Sequence, residues 1–180
     1  MAETRNVALL RGVNLGARNK VAMSDLRKLL AGLGFADVQT YVQSGNAVFT
    51  SAGRRPAGLA RDIEKAIAAE LGLDVKVLVR TGAELRAAID ANPLPAREPA
   101  NFLFAHFLSE RPEASALAAV DPDGYAPEEF AVGDRVVYVW CPNGMQKAKL
   151  THNFWERRLK VVVTARNWNT VTRLADMAAG

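Results

Sequence analysis

The chain has 180 residues, 49% of them hydrophobic and 23% charged, with a formal net charge of +4. Those proportions exclude a disordered, collagen-like or coiled-coil chain, and no apolar run is long enough to cross a bilayer. The single cysteine, Cys141, excludes an internal disulfide framework. The N-terminus reads neither as a secretory leader nor as a membrane segment, so a cytoplasmic protein is expected.

Arg5–Arg11 is a short apolar run suited to a buried strand, and a loop rich in Gly and Asn succeeds it from Gly12 to Asn19. Ser24 is placed to cap a helix whose leucines, Leu26, Leu29, Leu30 and Leu33, recur at helical spacing before Gly32 and Gly34 end it. Val38–Gln43 and Ala47–Thr50 read as strands joined by the turn Ser44-Gly45-Asn46. A second helix is expected from Pro56 to Leu71 on Leu59, Ile63, Ile67 and Leu71, and then a strand over Val75–Val79. This order, βαββαβ, is the ferredoxin-like pattern.

Thr81–Ala91 reads as a connecting helix, and Pro93, Pro95 and Pro99 stiffen the segment after it. Beyond that segment the order repeats. A strand is expected at Phe102–Leu108, a helix at Pro112–Val120, and a hairpin from Glu129–Val132 and Val136–Cys141 around Gly133-Asp134. A helix over Lys147–Leu159 and a strand over Lys160–Thr164 complete it, with no residue-level repeat of the first half. A last helix runs from about Trp168 to Met177, its apolar stripe formed by Trp168, Val171, Leu174, Ala175 and Ala178. The expected fold is therefore α+β. A ferredoxin-like unit occupies residues 1–80, and a connecting helix with a proline-rich linker residues 81–100. A second α+β unit, open to the same ferredoxin-like reading and carrying the C-terminal helix, occupies residues 101–180.

Charge is unevenly distributed. Residues 1–50 carry six bases and three acids, residues 51–140 ten and fourteen, and residues 141–180 seven and two. If the two basic ends fold together, their side attracts an anion; the plainer alternative is a mixed, solvated surface. No nucleophile elbow, zinc-protease motif, paired-cysteine motif or P-loop occurs. His106, His152 and Cys141 are the only soft metal ligands apart from methionine, and each is more simply structural, so no metal and no cofactor is expected. A sheet that reads RNA presents aromatics on its first and third strands. Val7–Leu10 has none, and Asn46–Phe49 lacks the basic-aromatic pattern.

Two segments remain as candidates for binding. Arg11-Gly12-Val13-Asn14-Leu15-Gly16 lies between a strand and a helix, with Arg18 and Lys20 close behind. Such a loop holds a phosphate or carboxylate on exposed N–H groups, or is simply a long connection fixed by its asparagines. Arg166-Asn167-Trp168-Asn169-Thr170 lies between a strand and the last helix. One asparagine is expected to cap that helix, leaving the other outward, and Arg166 is suited to a bidentate contact with an anion. Trp168 is available for stacking on a planar ligand or for core packing, and Lys149 is a further candidate from the preceding helix. The candidate ligand-binding set is thus Arg11, Asn14, Lys20, Lys149, Arg166, Asn167, Trp168 and Asn169, with no catalytic residue assigned.

Residues 8–16 (ALLRGVNLG) and 19–21 (NKV) resemble the opening of the bacterial DUF1697 family. The resemblance continues through Leu26, Leu29-Leu30, Leu33-Gly34-Phe35 and residues 41–49 (YVQSGNAVF), and resumes at Leu150-Thr151 and residues 164–171 (TARNWNTV). It departs at Ala165, where family members often carry threonine. The resemblance implies a ferredoxin-like part followed by a second α+β part and leaves function unassigned. Three classes of function therefore compete. One is a protein that binds an anionic ligand such as a nucleotide or nucleic-acid segment. The others are an enzyme acting on a small metabolite and a homo-oligomeric scaffold, for example a homodimer, with no membrane partner in any of them.

Overall fold

The opening apolar run forms β1 (Glu3–Leu10) in a computed structural model that describes residues 2–179. It is followed by α1 (Met23–Gly32), β2 (Ala36–Thr40), β3 (Asn46–Ala52), α2 (Pro56–Leu71) and β4 (Val77–Thr81). The four strands form one antiparallel sheet in the order β2-β3-β1-β4, which is the ferredoxin-like arrangement. Pro56 presets the first turn of α2, and Leu59, Ile63 and Ile67 line its buried face. Gly72, at φ 66°, stops that helix by returning its N–H to the Ala68 carbonyl at 3.1 Å. Ala8, Leu10, Ala47, Phe49, Val77 and Val79 meet the two helices in one core, while Val7, Leu9, Val48 and Leu78 on the opposite face are buried as well.

After α3 (Gly82–Asp90), the second half repeats the plan. β5 (Leu103–Leu108), α4 (Ala114–Ala118), β6 (Glu129–Gly133), β7 (Val136–Trp140), α5 (His152–Leu159) and β8 (Val163–Asn167) form a sheet in the order β6-β7-β5-β8. The repeat extends to single hydrogen bonds. Leu10 and Leu108 donate to the carbonyls of Gly45 and Arg135, and Arg11 and Ser109 to those of Lys76 and Val162, all at 2.9 Å. Leu108, Val137, Val139 and Val163 pack with Phe154, Trp155 and Leu159 of α5.

The chain ends in α6 (Trp168–Met177), with Val171, Leu174, Ala175 and Ala178 buried. Two compact units result, one made of the residues up to Arg86 together with those from Arg173 on, the other of Ala87–Thr172. The last helix therefore begins in one unit and ends in the other, whereas the sequence pattern places it whole in the second half. In the first unit, Gly82 lies so close to the chain end that a Cβ on it would stand 2.7 Å from the Ala178 carbonyl, and Arg86 pairs with Asp176 at 2.9 Å. In the second, the proline-rich segment is anchored by Arg97, which holds both carboxylate oxygens of Glu129 at 2.5 and 3.1 Å and lies 5.3 Å from the centre of the Trp140 ring.

Most elements shift by one to three residues at an end, as β4 does from Val75–Val79 to Val77–Thr81 and α4 from Pro112–Val120 to Ala114–Ala118, and four differences have a visible local setting. α1 takes Ala22 rather than Ser24 as its N-cap, with no side-chain cap bond. β2 ends at Thr40, short of the expected Gln43, and the chain turns away through Val42 at φ 50°. Lys147–Thr151 does not join α5. Glu128 holds the N–H groups of Lys149 and Leu150, and the Thr151 side chain caps the helix by accepting the Phe154 N–H at 3.3 Å. β8 starts at Val163 rather than Lys160, which closes α5 in the left-handed region at φ 59°.

Candidate functional site

The loop after β1 is tied together by one side chain. Asn14, at φ 57°, donates its backbone N–H to the Asn19 carbonyl at 3.0 Å. Its Oδ1 accepts the Val21 N–H at 2.9 Å, and its Nδ2 donates to the Val21 carbonyl at 2.8 Å and the Gln43 carbonyl at 2.6 Å. A bridge between Leu15 and Arg18 closes the tip. Asparagine tolerates the left-handed backbone and supplies both a donor and an acceptor, which is why it suits this position.

Asn46 plays the corresponding part in the connection between β2 and β3. It is buried, and its Nδ2 donates to the Tyr41 carbonyl and to Ser44 Oγ, both at 2.9 Å. Gly45 lies between the two loops at φ 84°, and a Cβ there would meet Val13 Cγ2 at 2.6 Å and Leu10 Cβ at 2.8 Å. Gly45→Ala is therefore expected to cost roughly 2–3 kcal/mol, from the left-handed backbone and from displacing Val13 and Leu10. Chemical denaturation checks this, and a change below about 0.5 kcal/mol would contradict the close approach.

Together the two loops line a shallow, open cavity of about 390 Å³ bordered by Asn14, Lys20, Val21, Ala22 and Gln43. Lys20 and Gln43 are exposed side chains on its rim, and Ala22 marks the start of α1. Because an alanine side chain accepts nothing, it does not cover the first amides of that helix. A second cavity, of about 480 Å³, is lined by Glu3, Arg5, Asp37, Gln39, Thr50 and Met177. Its one cation, Arg5, already donates to the Asp37 carbonyl, Thr50 Oγ1 and the Met177 carbonyl at 3.0–3.3 Å.

The sequence-derived candidates fall into both units. Arg11, Asn14 and Lys20 share the first loop, with Asn14 and Lys20 lining the same cavity and Arg11 half-buried at the end of β1. The other five belong to the second unit. Asn167 Oδ1 accepts the Thr170 N–H at 3.0 Å and so caps α6, leaving Asn169 exposed. Trp168 packs edge-on against Tyr138, with ring centroids 6.3 Å apart. Arg166 is buried, and its Nη1 donates to Thr164 Oγ1 at 2.7 Å and to the Ala165 carbonyl at 2.9 Å; burial brings its guanidinium down to about 10. Lys149 gives its backbone N–H to Glu128 while its side chain lies exposed. The sequence pattern places Gln43 at the end of a strand and does not single out Ala22; the signal for Val21 and Gln43 is their place in the segments 19–21 and 41–49 that carry the family resemblance.

The remaining soft ligands do not assemble. His106 is buried on the helix-facing side of β5, and the Cys141 thiol is pushed up to about 12, first by burial and then by nearby Glu128. Among the described residues, no group of three or more His, Cys, Asp or Glu is placed to hold a metal ion.

Fold and loops together define a doubled ferredoxin-like α+β protein with a braced loop corner at the end of its first sheet. The chain belongs to the DUF1697 family, described as "Protein of unknown function (DUF1697)", whose model matches residues 4–138. That match includes both loop motifs and stops before the segments at residues 150–151 and 164–171. No curated protein compared with the chain matches it. It is similar in structure to the conserved bacterial protein SP0830 from Streptococcus pneumoniae, with a TM-score of 0.74 and 23% identity over 98% of this chain and 99% of that one. At that identity the likeness speaks for the fold alone. No helix among the described residues is long and apolar enough to cross a membrane.

Proposed function

We propose that the protein binds an anionic ligand, a nucleotide or a nucleic-acid segment, at the corner formed by the Arg11–Ala22 loop and the Val42–Asn46 connection. The observation that carries this reading is the cavity of about 390 Å³ in which Lys20 and Gln43 meet the start of α1. Its volume is in the range of small-molecule sites. Lys20 supplies a charge, Gln43 supplies an amide, and the positive end of α1 adds a field favourable to an anion. Arg11 and Arg18, on the same loop, raise the local positive potential. The bonds made by Asn14 keep the loop in place before any ligand arrives, which lowers the entropy lost on binding.

Calorimetry with nucleoside mono- and triphosphates, and fluorescence anisotropy with labelled single-stranded DNA and RNA, test this at 50 and 200 mM salt. Binding is expected to weaken with salt. Lys20→Ala is expected to reduce affinity about tenfold while leaving Tm within ~1 °C, because Lys20 is exposed. Failure of every probe to bind at low salt would overturn the proposal.

A further inference from the structure

We infer that the ligand of this corner carries a flat or apolar group beside its anion, as a nucleotide carries its base, and that Leu15 and Val42 are the side chains that receive that group. The inference rests on the anion-binding reading of the same cavity. Among the described residues only three large hydrophobic side chains are strongly exposed: Leu15 at 66%, Val42 at 49%, and Val132 on β6. The first two are chain neighbours of residues that line the cavity. Leu15 follows Asn14 in the chain, Val42 precedes Gln43, and the Asn14 side chain joins the two segments through its 2.6 Å bond to the Gln43 carbonyl.

Neither exposed side chain serves the core, and Val42 is costly to keep. Its φ of 50° lies in the left-handed region, where a β-branched residue is strained. The other left-handed positions of this corner are Gly12, Asn14, Gly16, Asn19 and Gly45, all residues that tolerate such a backbone. An Asn or Gly at position 42 would hold the same turn with less strain. The fold gains little burial from a valine that is half exposed, so the apolar side chain fits a contact made outside the fold. Two aliphatic side chains exposed on the same two loops that line a polar cavity with Lys20 on its rim complement a ligand with a flat hydrophobic part and a charged part. A bare phosphate or a sugar phosphate would leave them facing water.

The test compares AMP, UMP, ribose 5-phosphate and inorganic phosphate by calorimetry on the wild-type chain, Val42→Asn and Leu15→Ser. A short oligonucleotide and an abasic strand of equal length distinguish a free nucleotide from a strand residue as the source. The nucleotides, or the base-bearing strand, are expected to bind at least about tenfold tighter than their base-free counterparts. Each substitution is expected to weaken base-bearing probes about fivefold and to leave ribose 5-phosphate or the abasic strand unchanged. Val42→Asn is expected in addition to raise Tm by ~2 °C, because the turn is relieved. Equal affinity for base-bearing and base-free probes, or no effect of either substitution on base-bearing probes, would overturn the inference while leaving the anion-binding reading standing. Failure of every probe to bind the wild-type chain would remove both.

Discussion

Glu128→Ala is expected to destabilise the protein by roughly 3–5 kcal/mol, because it strips a buried carboxylate from two backbone donors. Glu128 is 8% exposed and immediately precedes β6. One of its oxygens accepts the N–H groups of Lys149 and Leu150 at 3.0 and 2.9 Å, and the other accepts the Lys149 N–H at 2.9 Å. These contacts fix the segment leading into α5, whose Phe154, Trp155 and Leu159 complete the core of the second unit. Alanine would leave the Leu150 N–H buried and unanswered, and water would have to enter to satisfy it. Glu128→Gln keeps one accepting oxygen but turns an NH2 group toward donors, so an intermediate loss of about 1–3 kcal/mol is expected. Urea denaturation of the three proteins at neutral pH gives the comparison. A Glu128→Ala chain within 1 kcal/mol of wild type would show that the clamp is dispensable.

His106 carries the second large effect, and its sign is set by pH. The ring is fully buried, and neither Nδ1 nor Nε2 has a hydrogen-bond partner. Burial, assisted by the nearby charge of His152, lowers its pKa to about 3 from the ordinary 6.5. Above pH 6.5 the ring is neutral whether the chain is folded or not, and His106 adds no pH dependence. Between pH 6.5 and 3 the unfolded chain takes up a proton that the folded chain refuses, so stability falls as the pH falls. At ~1.4 kcal/mol per pKa unit, the full loss is roughly 4–5 kcal/mol, and about 2 kcal/mol of it is reached by pH 5. His106→Leu removes the titration and two unsatisfied nitrogens. The variant is expected to be at least as stable as wild type at pH 7.5 and to lose about 2 kcal/mol less between pH 7.5 and 5. Parallel denaturation curves for the two chains across that range would refute the assignment.

The strands and helices were legible where periodicity and punctuation agreed. Pro56 and Gly72 bracket α2, and the expected span Pro56–Leu71 is the observed one. Asn167 and the stripe from Val171 to Ala178 likewise mark α6. Where a bond distant in sequence decided the outcome, local pattern misled. Leu150 fits a helix extending from Lys147, but Glu128, 22 residues earlier, withdraws its N–H from that helix. The candidate site was half legible. Gly and Asn between Arg11 and Lys20 signalled a built loop, and Asn14 and Lys20 do line a cavity. Nothing local revealed that the Asn14 side chain reaches across to Gln43, or that Arg166 turns into the protein, since both depend on which strands lie side by side. The doubling of the fold was readable as an order of elements. Residues at matching positions, such as Gly45 and Arg135, share a backbone role without sharing chemistry.

The return of the final residues to the first unit makes the second unit an insertion, with both of its ends fastened to one host. Cutting the chain after Arg86 would therefore not release two self-sufficient halves. The N-terminal fragment would lack the partner of Arg86 and the segment against which Gly82 closes, and the remainder would carry an orphaned tail. A circular permutant that links the two ends of this chain and opens it at the proline-rich segment preserves every covalent neighbour of the host. The architecture favours that rearrangement over simple truncation as a way of breaking the chain without dividing the first unit.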